Sequence, residues 1–485
     1  ARNGVPSLIF PTGKNDVPLA QVGERLGIGE ELAAFAAAHG VALDTTVWLP
    51  GCLMSYRDLP SMLECLFFVN GLPGGKAHHD GHMKGRDLNA ILANPMLQLS
   101  SKQSVALERW RSLPPVSVAT SARPAPGTEN LVVPAEAAAK AGAALPAPGG
   151  KWVSPRAGVA LAYEMVAKAH PDAMFVIDCD LAPSTKVDLA QKALDADRQF
   201  QLSIEEQIAT MLANGLAMST PDPKLVVFAT FAAFFEGIAR EGMEMWRYQR
   251  NLTGANEGLN VTFHLSHVGS CTGRDHFSGW SLDWINLAIS YLPYLDRFYA
   301  PADARGAFIA IRDLAARTGA HLIGIPRDNL PILTQPGSDT PLWQPDSPWT
   351  DASPLRTRPG ARKALLAFGA TAFVAAEASD KLNDEGIAAD AWVINGLPLE
   401  KDRLATLFQQ YPDGIVTIED GLIGDPATGI RGFAGIVRGA AHGRPLPLIH
   451  LGITDPRIAP SDGHLELWQY FGIDSTAAIA AVKAL

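Results

Sequence analysis

The chain has 485 residues, of which 47% are hydrophobic and 19% charged, so it is long enough for roughly two to four domains with large cores. A net charge of -10 without a Lys/Arg-rich run argues against nucleic acid as a partner. The longest apolar run, residues 225–235, is far shorter than the roughly 20 residues of a spanning helix, which argues against a membrane partner. The four cysteines are far apart in the sequence and favour a reduced, cytoplasmic protein: Cys52, Cys65, Cys179 and Cys271.

The first 112 residues predict little regular structure. Residues 4–10 (GVPSLIF) read as a strand that needs a sheet completed elsewhere, so residues 1–18 are separated from a mixed helical and loop segment, 19–112. Within that segment, helix is expected over 21–39 and partly over 54–69.

A histidine-rich stretch lies inside this segment. His78, His79, Asp80 and His82 can form a polar loop, a metal site or an active-site loop that uses one histidine. Their spacing matches no established zinc pattern, so the three alternatives stay open.

Two Pro-rich stretches, 113–150 and 333–362, predict linkers on either side of residues 151–332. Between and after them, strands and helices alternate, which is typical of parallel sheets covered on both faces. The expected strands are 174–178, 225–228, 259–265, 297–300, 321–325, 364–369, 391–394, 414–419 and 446–451. The expected helices are 156–170, one from 203, 237–247, 281–292, 302–318, 371–385, 401–410 and a last alanine-rich one. The predicted fold class is α/β, with two doubly wound, mainly parallel-sheet domains at 151–332 and 363–485 after an irregular amino-terminal segment.

The stretch 200–235 has local interpretations that need no site. Ser203-x-x-Glu206 fits a capping box, in which the Glu206 side chain accepts from the Ser203 backbone N–H. The apolar residues that follow recur at helical spacing and predict one buried face: Ile204, Ile208, Met211 and Leu212. The phenylalanines after the next strand are by default core residues: Phe231, Phe234 and Phe235.

From about Trp152 onward, four short motifs occur in an order that resembles the pyrimidine-binding and carboxyl-terminal domains of the transketolase family, whose enzymes depend on thiamine diphosphate. Each motif alone is weak, and the shared order carries the resemblance. The motifs are Asp180-Leu181-Ala182-Pro183-Ser184, Ser203-Ile204-Glu205-Glu206-Gln207, Thr230-Phe231-x-x-Phe234 and Pro326-Arg327-Asp328-Asn329-Leu330-Pro331.

The resemblance implies a cofactor pocket. Glu206 would be the carboxylate that bonds the aminopyrimidine N1' and drives its proton exchange. Phe231 and Phe234 would form an aromatic wall for that flat ring. Asp180 and Leu181 would lie near the cofactor at a subunit junction.

The resemblance also implies a substrate site. His267 would exchange protons with substrate hydroxyls, Asp275 would bind one hydroxyl, and Arg327 would bind a phosphate. The family's Gly-Pro-Thr-His-Gln continuation is absent after Asp275, so His276 or His79 is a candidate replacement for its histidine. Gly237 stands where the family has a third aromatic residue.

Family members also carry an amino-terminal domain in which Gly-Asp-Gly and a later Asn hold Mg²⁺ (or Ca²⁺) and the diphosphate, and the chain shows no such pattern. The resemblance therefore implies a divided enzyme. Residues 1–18 would be the last strand of that domain. A second polypeptide would supply the rest of the diphosphate-binding domain and the metal ligands, in an α2β2-like hetero-oligomer that takes sugars or sugar phosphates.

The expected function is that of the carboxyl-terminal component of a divided transketolase-like enzyme, which transfers a two-carbon ketol unit from a ketose to an aldose. Three alternatives stay open. One is another thiamine diphosphate enzyme, such as a 2-oxo acid dehydrogenase component or a deoxyxylulose phosphate synthase relative. The others are a non-catalytic assembly subunit and a metal-binding module around residues 78–82.

Overall fold

The computed structural model describes residues 16–48, 59–76, 125–219, 222–252, 260–271, 281–455 and 462–485. The chain divides into two compact units, Ala1–Val116 and Ser117–Leu485. The strand predicted at 4–10 and the histidine-rich stretch 78–82 lie outside the described residues.

In the first unit, a short antiparallel pair packs with three helices around a small apolar core. The helix predicted over 21–39 is interrupted, because Gly27 takes the left-handed conformation (φ 67°) and ends the first of two helices. The elements are β1 (Asp16–Pro18), α1 (Leu19–Leu26), α2 (Gly29–Ala38), β2 (Thr46–Trp48) and α3 (Leu59–Val69).

The second unit is built on a seven-stranded sheet of order β12-β7-β8-β6-β5-β3-β4. All neighbouring strands in it are parallel except β12 and β7. The strands are β3 (Met174–Cys179), β4 (Gln199–Leu202), β5 (Leu225–Phe231), β6 (Val261–Ser266), β7 (Arg297–Tyr299), β8 (His321–Ile325) and β12 (Gly396–Leu397).

A five-stranded sheet of order β14-β13-β10-β11-β9 follows, with only β9 antiparallel to its neighbour. Its strands are β9 (Ala352–Arg356), β10 (Lys363–Phe368), β11 (Ala389–Ile394), β13 (Gly414–Leu422) and β14 (Leu448–Ile453). The predicted fold class, two mainly parallel α/β domains, is thereby confirmed.

Helices flank both sheets, and no helix among the described residues is long and apolar enough to cross a membrane. The helices are α4 (Ala135–Gly142), α5 (Arg156–Ala169), α6 (Ala182–Thr185), α7 (Asp188–Ala193), α8 (Glu206–Ser219), α9 (Ala232–Phe234), α10 (Arg240–Leu252), α11 (Trp284–Tyr291), α12 (Ala304–Ala315), α13 (Ala372–Asp384), α14 (Arg403–Gln410), α15 (Gly432–Ala440), α16 (His464–Phe471) and α17 (Ser475–Ala484). A π-helix, Phe235–Ala239, joins α9 to α10.

Both predicted linkers contain regular structure. Helix α4 lies within 113–150 and packs on α5, burying Ala138, and β9 lies within 333–362 and extends the second sheet. Their Pro and Ala content suggested extended chain, but tertiary packing selects a helix and an edge strand.

The two sheets are joined directly. Strand β12 leaves the second α/β domain and pairs with β7 at the edge of the first sheet. Next to it, the Ala300 N–H donates to the Asn395 carbonyl at 2.7 Å. The largest buried apolar clusters each contain residues of both sheets, so the two domains share their cores.

A buried histidine in the centre of the first sheet makes the stability of the fold depend on pH. His264 on β6 lies with Nδ1 3.2 Å from the Tyr163 hydroxyl and Nε2 3.0 Å from Ser266 Oγ. Burial lowers its pKa from 6.5 to about 3. Because the unfolded state takes up a proton near pH 6.5 and the native state does not, the stabilisation is complete above pH 6.5 and is lost as pH falls towards 3.

Glutamine cannot be protonated. We therefore expect the urea midpoint of His264→Gln to fall less than that of wild type when pH is lowered from 7.5 to 5. Wild type should lose up to about 1.4 kcal/mol per pH unit more than this variant in that range. His442→Gln, at an exposed histidine, is the matched control and should follow wild type. Parallel midpoint curves for wild type and His264→Gln would contradict a role for His264.

Candidate active site

The carboxyl ends of neighbouring parallel strands place the predicted site residues along one edge of the first sheet. In the register of this sheet, Phe231 pairs with Ser266, and Ser266 pairs with Ile325. His267 follows β6 directly, and Arg327 comes two residues after β8. This edge is the usual ligand position in open α/β sheets.

Glu206 is the first residue of α8 and is fully buried. Its Oε1 accepts a hydrogen bond from Thr230 Oγ1 at 3.3 Å, and its Oε2 has no hydrogen-bond partner among the described residues. The predicted capping box is wrong, because that motif needs the glutamate at the third helical position. An incompletely bonded buried carboxylate is costly, which makes Glu206 a candidate ligand-binding residue.

Helix α8 turns its small side chains inward. Ala209, Ala213 and Ala217 are buried against the sheet. The predicted buried face is wrong, since Ile204, Ile208 and Met211 are 71%, 54% and 47% exposed. An exposed apolar stripe therefore lies on the side of α8 that faces away from the sheet.

An aromatic stack borders Glu206. Phe231 lies parallel to Phe234 with ring centroids 5.6 Å apart, and on His267 with centroids 3.9 Å apart. Phe235 is a core residue, as its local sequence predicted, while Phe234 is only half-buried. Gly237, in the π-helix, has open space around it, because an added Cβ would meet nothing within 4 Å. Phe234 is therefore the more exposed end of the stack, while Phe231 is buried against His267.

His267 is held in an uncommon backbone conformation. Its φ is 63°, and its N–H donates to the Ile325 carbonyl at 2.7 Å. Its Nε2 lies 3.4 Å from Nη1 of Arg156. Because a guanidinium only donates, Nε2 is the acceptor and the ring proton sits on Nδ1.

Arg156 is a site residue that the sequence did not reveal. It begins α5 outside every motif and also donates from Nη1 to the Ser184 carbonyl at 2.9 Å. Its guanidinium thus connects His267 to the turn that begins at Asp180. Only tertiary proximity identifies it.

That turn carries the second strained residue. Asp180 is exposed with φ 67°, and Leu181 is half-buried and donates its N–H to Asp178 Oδ2 at 2.8 Å. Burial raises the pKa of Asp178 to about 6. Asp180 and His267 are two of the four described non-glycine residues with positive φ, and such strain tends to cluster at functional sites.

The segment after His267 is anchored to the second α/β domain. The backbone N–H and the hydroxyl of Ser270 both donate to the Asp420 carboxylate, at 3.0 and 2.8 Å. Burial raises the pKa of Asp420. Asp275, His276 and His79, predicted as substrate residues, lie outside the described residues. Asp420 carries no sequence signal of this contact, which joins two domains.

Arg327 is half-buried, and its backbone N–H donates to the Cys271 carbonyl at 2.8 Å. The next residue, Asp328, pairs through Oδ2 with Nδ1 of His464 at 3.1 Å. The structure thus brings Glu206, Phe231, Phe234 and His267 into a linked set, with Arg327 on the neighbouring strand end.

Comparison with known proteins agrees with this geometry. A family model for the transketolase pyrimidine-binding domain matches residues 152–331. Curated relatives include 1-deoxy-D-xylulose-5-phosphate synthases of Ralstonia nicotianae, 24% identical over 294 residues, and Methylibium petroleiphilum, 26% identical over 286 residues. These alignments cover 59% and 58% of this chain. They cover only 41% and 40% of the relatives, so the chain spans about two fifths of the length of the relatives it matches.

Two solved structures share the fold. A split-gene transketolase described as an inactive beta4 tetramer aligns with TM-score 0.53 and 23% identity, over 69% of this chain and 98% of that one. Transketolase of Campylobacter jejuni aligns with TM-score 0.54 and 13% identity, over 88% of this chain and 59% of that one. At these identities the likeness establishes the fold alone.

The anchor at Asp420 requires Gly269. Its φ is 66°, and an added Cβ would lie 2.5 Å from Asp420 Oδ2. We expect Gly269→Ala to destabilise the chain by about 1–3 kcal/mol more than Gly337→Ala, measured by urea unfolding. Gly337 is the matched control, since it has φ 67° and nothing within 4 Å. Equal losses would show that Asp420 does not constrain this segment.

Proposed function

Because the chain belongs to the transketolase family through its pyrimidine-binding domain, residues 152–331, we propose that Glu206 binds the aminopyrimidine ring of thiamine diphosphate. In this proposal the chain is the pyrimidine-binding and carboxyl-terminal component of a divided enzyme that transfers a two-carbon ketol unit from a ketose to an aldose. The observation that carries it is the fully buried Glu206, whose Oε2 lacks a partner among the described residues.

The residues present fit the cofactor. An unmet buried hydrogen bond costs about 1–3 kcal/mol, which a ring N–H bonded to Oε2 would offset. Phe231 and the half-buried Phe234, with ring centroids 5.6 Å apart, supply aromatic surface of the kind that a flat heteroaromatic ring packs against. Asp180 and Leu181 begin the turn at the neighbouring strand end and complete the proposed cofactor-binding set.

Thiamine diphosphate, when bound, supplies the electron sink for breaking and forming the carbon–carbon bond. The chain's own residues position the cofactor and the substrate and hold protons at them. Glu206 holds a proton at the ring nitrogen, and burial in an apolar environment keeps water from competing for it. His267, fixed by Arg156 with its proton on Nδ1, would donate this N–H as a hydrogen bond to a substrate oxygen.

The substrate phosphate is assigned to Arg327. A guanidinium can bond two phosphate oxygens at once, which a half-buried arginine at a strand end is suited to do. Asp275, His276 and His79 remain candidates for hydroxyl contacts.

A second polypeptide completes the proposed enzyme. It would carry the diphosphate-binding domain and the Mg²⁺ (or Ca²⁺) ligands, and assemble as an α2β2-like hetero-oligomer. The fold shared with a chain of a split-gene transketolase, of which 98% is covered, supports this division. The exposed stripe of Ile204, Ile208 and Met211 beside Glu206 supports it too, because exposed apolar patches commonly mark interfaces.

A synthase is the second candidate, and the curated relatives favour it. A 1-deoxy product ends in a methyl group, so its two-carbon unit must come from an acyl donor such as a 2-oxo acid, with release of CO₂. Donor choice distinguishes the two candidates. With an aldose acceptor present, we expect the complex to turn over a ketose donor without releasing CO₂. Formation of a 1-deoxy product from a 2-oxo acid and the aldose, with release of CO₂ and no turnover of the ketose, would instead establish the synthase.

The direct test uses the chain copurified with its native partner, thiamine diphosphate and Mg²⁺. We expect Glu206→Gln to lower kcat for two-carbon transfer about 100-fold or more, because the amide cannot exchange the proton. Glu205→Gln, at the exposed neighbouring glutamate, is the matched control and should retain activity. Equal turnover by Glu206→Gln and wild type would refute the assignment.

Cofactor binding tests the division of the enzyme separately. In isothermal titration, the chain alone should bind thiamine diphosphate with Mg²⁺ much more weakly than the copurified complex does. Full affinity in the isolated chain would contradict the need for a second polypeptide, while leaving the role of Glu206 intact.

A further inference from the structure

A cluster of three possible metal ligands lies at the junction of the two α/β domains, outside the site assigned to the cofactor. One ligand atom each from Cys271, Asp328 and His464 lies within 4.8 Å of the other two. Cys271 follows β6 and Asp328 follows β8, whereas His464 begins α16 in the second domain. Residues far apart in sequence therefore bring a thiol, a carboxylate and an imidazole together.

The burial of these side chains sets the cluster apart from an ordinary surface ion pair. Cys271 is fully buried and His464 is 8% exposed. The Nε2 atom of His464 is buried without a hydrogen-bond partner among the described residues. The Nδ1 atom of His464 faces Asp328 Oδ2 and is the nitrogen placed to bind a cation, so Nε2 would keep the ring proton.

We propose that Cys271, Asp328 and His464 bind one zinc-class divalent cation, which crosslinks the two α/β domains beside Arg327. Sulfur, nitrogen and carboxylate oxygen are the ligand types that zinc takes in proteins. No step of the proposed transfer reaction depends on this ion.

The geometry is close to that of a tetrahedral site. Metal bonds of about 2.0 Å to nitrogen and oxygen and about 2.3 Å to sulfur place ligand atoms about 3.3–3.6 Å apart. His464 Nδ1 and Asp328 Oδ2 are already 3.1 Å apart. The remaining separations, from Cys271 Sγ to the other two ligand atoms, are at most 4.8 Å and would have to shorten by up to about 1.2 Å. Three protein ligands leave the fourth position to water.

Charge and protons balance in the proposed site. A thiolate and a carboxylate carry two negative charges, so a divalent cation with neutral imidazole makes the buried cluster neutral. Binding displaces the thiol proton of Cys271, which leaves to solvent, and His464 binds as the neutral imidazole. Zinc affinity therefore falls as pH is lowered.

Neighbouring backbone groups hold the ligands in place. The Asp328 Oδ2 also accepts from the His464 backbone N–H at 3.1 Å. The Cys271 carbonyl accepts from the backbone N–H of Arg327 at 2.8 Å. Supporting bonds of this kind orient metal ligands, and here they connect the cluster to the backbone that carries Arg327.

The test begins with wild-type chain stripped by a chelator and titrated with Zn²⁺ against a chromophoric competitor, then with Co²⁺ as a spectroscopic probe. We expect one Zn²⁺ per chain and, with Co²⁺, the near-ultraviolet charge-transfer band of a thiolate ligand. Absence of this band at saturating Co²⁺ in wild type would overturn the proposal without any variant.

Variants identify the ligands. Cys271→Ser and His464→Gln should each weaken Zn²⁺ binding at least tenfold, and Cys271→Ser, which removes the thiolate, should also abolish the band. Cys65→Ser, at a buried cysteine of the first unit, and His442→Gln, at an exposed histidine, are the matched controls and should bind as wild type does. Far-ultraviolet circular dichroism checks that each variant folds.

The histidine-rich stretch offers a competing source of zinc binding. It contains no cysteine, so it cannot give the thiolate band. Zn²⁺ binding that survives Cys271→Ser and is lost in His79→Gln would place the ion there and overturn the proposal. Retained binding in His79→Gln supports the domain-junction site.

Discussion

The buried carboxylate of Glu206 is the constraint on which the rest of the site depends. A carboxyl group removed from water must be bonded, and within the part of the chain that the structure describes, only Thr230 Oγ1 donates to it, at one oxygen. The position of Glu206 follows from small residues: Ala209 and Ala213 let α8 lie close to the sheet, so its first residue reaches the end of β5. The parallel register of β5 and β6 then places Phe231 beside His267 at the carboxyl ends of these strands.

The substrate side of the site depends on the second α/β domain. Asp420 holds the segment after His267 through Ser270, and His464 pairs with Asp328 next to Arg327. The antiparallel addition of β12 to the first sheet strengthens the same junction. Residues assigned to substrate thus rest on contacts across a domain boundary, and movement of that boundary would displace them together.

Most of the fold could be predicted from sequence, because buried parallel strands such as Leu225–Phe231 read as short apolar runs between turn residues. The motif order also pointed to Glu206, Phe231 and Phe234, which the fold places at one edge of the first sheet. The buried face of α8 was predicted wrongly, because apolar residues at helical spacing, such as Ile208 and Met211, form a core only if the chain itself covers them. Arg156 could not be predicted, because its contact with His267 joins residues 111 positions apart and leaves no local sequence pattern.

The most direct test is a structure of the chain with its second polypeptide, Mg²⁺ and an unreactive thiamine diphosphate analogue. The expected result is an aminopyrimidine ring against Phe231 and Phe234, with a ring nitrogen about 3 Å from Glu206 Oε2. A ring bound elsewhere, or a protein donor found on Glu206 Oε2 in the complex, would contradict the assignment of Glu206.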